Sequence, residues 1–187
     1  VFIAAAGYII NDYFDIGIDM INKPERVTIE RVFKRRLVII WHIILNVVAL
    51  VMAAYIAWRF VLLRVVFIQL FCIILLLWYS VTLKRKLVVG NLAISLLTAL
   101  SLLSVAVYEP DFPVFDMHNS LVRLFWLYVI FAFLVNWARE IVKDIEDIKG
   151  DGVRDCQTVP LVWGIQTAKN LVYLIIGILV FLLLAAA

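Results

Sequence analysis

The chain has 187 residues, 66% of them hydrophobic, with a mean hydropathy of +1.06. A soluble domain is nearer half apolar, so these values exclude an ordinary soluble protein and point to a multi-pass integral membrane protein. The formal net charge is +3, and two cysteines and two histidines, scattered over different segments, make neither a disulfide framework nor a zinc site.

A helix needs about 20 apolar residues to cross the hydrocarbon core. Residues 1–18 read as the tail of one crossing that runs into an acidic stretch, N-D-Y-F-D-I-G-I-D. Residues 20–36 form a polar connection with Pro24 and a basic end, Lys34-Arg35-Arg36. Residues 37–58 cross, Arg59 opens a short turn, and residues 60–83 cross back to a basic cluster, Lys84-Arg85-Lys86. Residues 87–108 cross again. An acidic, turn-rich loop follows, with Glu109, Pro110, Asp111, Pro113 and Asp116. Residues 121–142 cross into a second acidic stretch, D-I-E-D-I-K-G-D, and residues 158–187 supply a last crossing after Pro160 and Gly164. The chain starts at Val1 inside one apolar run and stops inside another. It reads as a single transmembrane domain over residues 1–187, cut from a longer one at both ends. No signal peptide is expected, because no basic start leads to a small-residue cleavage site.

The two acidic stretches share the spacing D-x-x-D-x-x-x-D: Asp12, Asp15 and Asp19 in the first, Asp144, Asp147 and Asp151 in the second. At about 100° per residue, such positions fall within roughly 60° of one another on a helix. Each stretch is therefore expected to present three carboxylates on one face. Crowded carboxylates are costly near a membrane unless a cation lies between them. A hard divalent ion suits them, and Mg²⁺ characteristically joins a few carboxylates to a substrate's phosphates.

Basic residues sort by side. If crossings alternate, one face receives Lys23, Arg26, Arg31, Lys34, Arg35, Arg36, Lys84, Arg85, Lys86, Arg139, Lys143, Lys149 and Arg154, thirteen of the seventeen. By the positive-inside rule this face is cytoplasmic, which puts the site at the inner face of the cell membrane. Both acidic stretches fall on it. Backed by Arg26, Lys84, Arg139 and Lys143, the six carboxylates look like a site for a metal-bound diphosphate. The lipid surroundings give that diphosphate a greasy tail, as in a prenyl diphosphate. Loss of diphosphate leaves an allylic cation, which aromatic faces can stabilise; Tyr13, Phe14, Tyr79 and Trp137 are candidates by position.

Blander readings stand beside these. Either trio could be a solvated helix end. Lys143 and Lys149 could make ordinary helix ion pairs, Arg139 and Lys143 could pair with Glu140 or Asp144, and Lys84-Arg85-Lys86 could anchor topology. Asn91 and Asn136 could make helix–helix hydrogen bonds. At the level of function, the rivals are a divalent-cation transporter and a non-catalytic assembly subunit. A transport path needs polar residues at mid-membrane depth, whereas here acids gather at one face. Nucleic acid is not an expected partner.

The residues also resemble a known family. The run N-D-x-x-D-x-x-x-D at 11–19, N-K-P-E-R at 22–26, Y-S-V-T-L-K-R at 79–85 with Gly90-Asn91, and Asp147-x-x-x-Asp151 are similar to the UbiA superfamily of intramembrane prenyltransferases. The run R-E-I-V-K-D-I-E-D-I-K-G-D, then T-V-P and Gly164, resembles the branch that transfers geranylgeranyl to geranylgeranylglyceryl phosphate. The resemblance implies an all-α, polytopic bundle of nine helices around a central cavity, about six of them present here. It implies Mg²⁺-dependent transfer from a prenyl diphosphate, such as geranylgeranyl diphosphate, to a lipid or an aromatic acceptor in the bilayer. Asn11, Asp12, Asp15 and Asp19 would form the first metal–diphosphate motif and Asp147 and Asp151 the second. Asp144 would support the second motif or bind metal. Lys84 would contact diphosphate, with Tyr79 near the reacting carbon, and Asn91 is a further substrate-binding candidate. Three positions depart from the pattern: the Tyr79-to-Lys84 interval is five where some members have four, Glu30 replaces a small residue, and Asp155 replaces a glycine.

Overall fold

The computed structural model describes residues 1–109, 111–153 and 156–186, without the side chains of Arg26 and Ala186. Pro110, Arg154 and Asp155, which figure in the sequence reading, lie outside the described residues. The described residues are all-α, with no strand among them. The helices are α1 (Phe2–Asn22), α2 (Arg35–Phe60), α3 (Leu63–Val81), α4 (Val89–Tyr108), α5 (Ser120–Glu146), α6 (Ile148–Val153), α7 (Val159–Val162) and α8 (Ile165–Ala186).

Five of these, α2, α3, α4, α5 and α8, are long and apolar enough to cross a membrane. Helix α1 has the length, at 21 residues, but Asp12, Asp15 and Asp19 fall in its second half. Three carboxylates at lipid depth are costly, so its charged half belongs at an interface or facing protein. The outward faces of α2 and α3 carry Trp41, Tyr55, Trp58, Phe67, Phe71 and Trp78 exposed. In water such faces would mark docking surfaces; here lipid tails solvate them. Inside, small residues line part of α2 and α4. Ala53 and Ala57 of α2 and Ala93, Ser95, Ala99 and Ala106 of α4 are buried. Small side chains let helix backbones approach where lipid supplies no hydrophobic driving force.

The chain divides into two compact units, Val1–Lys84 with Lys149–Arg154 and Arg85–Ile148 with Asp155–Ala187. In the first, α1, α2 and α3 pack pairwise. Gly7 of α1 faces Leu76 of α3 so closely that a Cβ there would lie 3.0 Å from the leucine methyls. His42 of α2 has Nδ1 2.9 Å from the Ala6 carbonyl, so that nitrogen carries the proton. After α1 the chain turns through Pro24–Arg26 and folds Val27 and Ile29 back onto Ile16, beside Ile9 and Tyr13. In the second unit, α5 packs against α4, α7 and α8. Ile141, Val159, Ala168, Val172 and Ile175 make its core.

Several boundaries differ from the sequence reading. Helix α1 runs through the first acidic stretch to Asn22, because nothing breaks it before Pro24. The turn after α2 forms at Val61 (φ 58°), two residues beyond Arg59. The last crossing, by contrast, follows Gly164 as expected: that residue, at φ 87° in backbone space that favours glycine, separates α7 from α8. The second acidic trio does not share one helix face. Helix α5 ends at Glu146, Asp147 leaves the helix (φ −92°, ψ 8°), and Asp151 belongs to the separate α6. Beyond the break, within α6, the Gly150 amide bonds a partner on α1.

Candidate functional site

In the first unit the acidic stretch occupies the second half of α1. Both carboxylate oxygens of Asp15 are engaged. The Lys84 ammonium donates to Oδ1 at 2.5 Å, and the Asn11 amide donates to Oδ2 at 2.7 Å. The side chains of Lys84 and Asp15 are only 10% and 13% exposed. Water screens this pair weakly, so each charge depends on the other. Lys84 reaches Asp15 because it follows α3, which runs parallel to α1: Gly7 meets Leu76, and eight residues further along each chain segment Asp15 meets Lys84. Asp12 and Asp19, seven residues apart on one face, line a cavity together with Ile16, Lys23, Val27, Thr28 and Ile29. The wall opposite α1 is the folded-back 27–29 segment. Tyr79 is buried in the last turn of α3, next to buried Ser80. The Arg26 side chain, a sequence candidate, lies outside the described residues.

Asp151 also belongs to the first unit and is buried. Its neighbour Gly150 donates its backbone N–H to Asn22 Oδ1 at 2.8 Å. The end of the second acidic stretch is thus fastened to the end of the helix that carries the first.

In the second unit, Asn91 of α4 donates its amide to Asp144 Oδ2 of α5 at 2.8 Å. This is the helix–helix hydrogen bond that a buried asparagine makes in lipid. Arg139 donates to Glu140 Oε1 at 2.8 Å, with Arg139 exposed and Glu140 buried. The pair with Glu140 that the sequence offered for Arg139 is thus formed. Asp147 follows the last turn of α5, its backbone N–H bonded to the Lys143 carbonyl. Lys143 is half-buried.

Within the first unit the structure brings together Asn11, Asp15 and Lys84, then Asp12 and Asp19, then Asn22 and Gly150, the neighbour of Asp151; within the second it brings together Asn91 and Asp144. Lys23 and Thr28 line the cavity and were missed as site residues. Lys23 was legible only as a basic residue near Pro24. Asn22 stood within N-K-P-E-R without an assigned role.

Among the described residues, no three His, Cys, Asp or Glu side chains are grouped as a ready cation cage. This donor set still fits Mg²⁺. That ion dehydrates reluctantly and is usually held by one or two carboxylates plus substrate phosphates. Asp12 and Asp19 on one cavity wall supply hard oxygens in that number, with Lys23 beside them for a phosphate's remaining charge.

Three comparisons bear on this geometry. A digeranylgeranylglyceryl phosphate synthase of Methanosphaera stadtmanae is 33% identical over 172 residues, covering 91% of this chain and 58% of the relative. The enzyme of the same name from Methanothermobacter thermautotrophicus is 35% identical over 161 residues, covering 86% and 52%. That of Sulfolobus acidocaldarius is 33% identical over 187 residues, covering 96% and 60%. The chain spans 52–60% of the length of these relatives. A solved structure concerned with digeranylgeranylglyceryl phosphate synthase in membranes superimposes with a TM-score of 0.65 at 27% identity, over 97% of this chain and 59% of that one. The model of the UbiA prenyltransferase family matches residues 1–187, and the chain belongs to that family.

Proposed function

We propose that the protein transfers a prenyl group from a prenyl diphosphate to an acceptor in the membrane, as one domain over residues 1–187. The donor is geranylgeranyl diphosphate and the acceptor geranylgeranylglyceryl phosphate. The observation that carries this reading is the buried Asp15–Lys84 pair, steadied by Asn11, beside a cavity walled by Asp12 and Asp19. Family membership and the names of the relatives support the substrate assignment.

The chemistry requires the bond between the prenyl carbon and the diphosphate oxygen to break. The acceptor hydroxyl oxygen then bonds that carbon and its proton passes to the released diphosphate, leaving an ether. Asp12, Asp15 and Asp19 of the first stretch and Asp144, Asp147 and Asp151 of the second would hold Mg²⁺. When bound, that ion supplies Lewis-acid neutralisation of the leaving diphosphate. Lys84 takes part of the negative charge that builds on the diphosphate, and Asp15 keeps its ammonium oriented. Lys23 and Lys143 would add positive charge, as would Arg26, a candidate from the sequence alone, while Arg139 is steadied by Glu140. Tyr79 offers an aromatic face to the allylic cation. The basic-residue count supports a cytoplasm-facing site in the cell membrane.

Membranes containing the protein, given Mg²⁺, geranylgeranyl diphosphate and a panel of acceptors, test the reading. The expected product is a second ether on geranylgeranylglyceryl phosphate. Prenylation of an aromatic ring alone would overturn the acceptor assignment, and no prenylated product with any acceptor would overturn the transferase reading.

A further inference from the structure

Asn22 stands at the last position of α1, one turn beyond Asp19. Its Oδ1 accepts the Gly150 N–H at 2.8 Å across 128 positions of chain. Gly150 is buried, and a Cβ built on it would lie 2.5 Å from the Asn22 amide nitrogen and 2.8 Å from Cγ and Oδ1. Nothing larger than glycine fits against that amide without displacing it. The requirement is one of space, since Gly150 does not occupy left-handed backbone. Asp151 follows directly and is buried. A short helix of six residues has little stability of its own, so α6 takes its position from what holds it.

We propose that Asn22 is a positioning residue, clasping Gly150 so that α6 delivers Asp151 to the end of α1 that carries Asp19. The inference rests on the functional reading above, in which Asp151 and Asp19 serve the same metal-bound diphosphate. In this role Asn22 acts without touching metal or substrate. It acts by fixing one carboxylate relative to the others, as outer hydrogen-bond partners do at metal sites. Gly150 is its steric complement.

The test uses the membrane protein in nanodiscs, with two readouts that need no prenyl donor. One is amide hydrogen exchange over residues 148–152, with exchange over α8 reporting that each variant is folded. The other is Mn²⁺ binding in the presence of inorganic pyrophosphate, followed by electron paramagnetic resonance. Asn22→Ala removes the acceptor, so the Gly150 amide should exchange faster and the Mn²⁺ dissociation constant should rise by about 10- to 100-fold. Asn22→Asp keeps an acceptor oxygen in place and should retain slow exchange. Gly150→Ala should reproduce the weakened Mn²⁺ binding by pushing Asn22 away, and Asn22→Ala/Gly150→Ala should be no worse than the poorer single variant. If Asn22→Ala unfolds, Gly150→Ala carries the comparison. Unchanged exchange at 148–152 would overturn the clasp. Faster exchange with unchanged Mn²⁺ affinity would overturn the positioning role while leaving the functional reading intact. Failure of the native protein to bind Mn²⁺ with pyrophosphate would overturn both.

Discussion

The Lys84 ammonium lies 2.5 Å from Asp15 Oδ1, although 69 positions separate the two residues. Both side chains are nearly buried, so the pair cannot be dismantled one member at a time without cost. Removing one partner from a buried pair strands the other charge, at about 3–5 kcal/mol. Asp15→Asn and Lys84→Met should each destabilise the protein by about 3 kcal/mol or more. The double variant should lose less than the sum, because it leaves no stranded charge. Unfolding in mixed detergent measures all three. Additive losses would mean that the two charges do not depend on each other.

Asn91 separates a structural from a substrate role. Its amide bonds Asp144 across α4 and α5, and such bonds in membranes average about 0.6 kcal/mol, with larger cases near 2. Asn91→Ala should lower stability by about 1 kcal/mol, and any weakening of diphosphate binding should be matched by Asp144→Asn, because Asn91 acts through that carboxylate. A raised KM with unchanged stability would return Asn91 to the list of substrate contacts.

The approach of α1 to α3 depends on Gly7. An added Cβ meets Leu76 methyls at 3.0 Å, so an alanine forces a small shift and a leucine overpacks the contact. Gly7→Leu should cost about 1–3 kcal/mol. Leu76→Ala in the same chain should restore part of it by vacating the space. Thermal unfolding of the single and double variants checks this, and no recovery in the double would show that the strain lies elsewhere.

Divalent ions give a further test of the proposed chemistry. Chelation should stop product formation, and Mg²⁺ should restore it. Ca²⁺, larger and content with looser coordination, should restore much less. Equal restoration by Ca²⁺ would show that the site does not impose octahedral geometry.

Much of this arrangement was legible in the sequence, for reasons that particular residues make plain. The crossings follow from apolar length alone, and α2, α3, α4, α5 and α8 appear close to where the runs lie. The shared face of Asp12 and Asp19 followed from helical spacing, because α1 is regular through the whole stretch. The same spacing failed for Asp144, Asp147 and Asp151. Periodicity assumes one continuous helix, and the helix breaks at Asp147, beyond which α6 is fastened to a distant acceptor, Asn22. Lys84 was read as a diphosphate contact or a topology anchor, yet its position against Asp15 is a tertiary fact that no local pattern encodes. The same holds for Asn22 and Gly150. For Arg139 the sequence offers both substrate and Glu140 as partners, and the bond to Glu140 is visible only in the side-chain geometry.

The central claim is that both acidic stretches serve one Mg²⁺-dependent departure of diphosphate. Asp12→Asn and Asp147→Asn test it most directly, since each alters one stretch and neither breaks the Asp15–Lys84 pair. Diphosphate release from geranylgeranyl diphosphate, measured with acceptor and Mg²⁺ in membranes, should fall by about a hundredfold or more in each variant. Native rates in either variant would contradict the account.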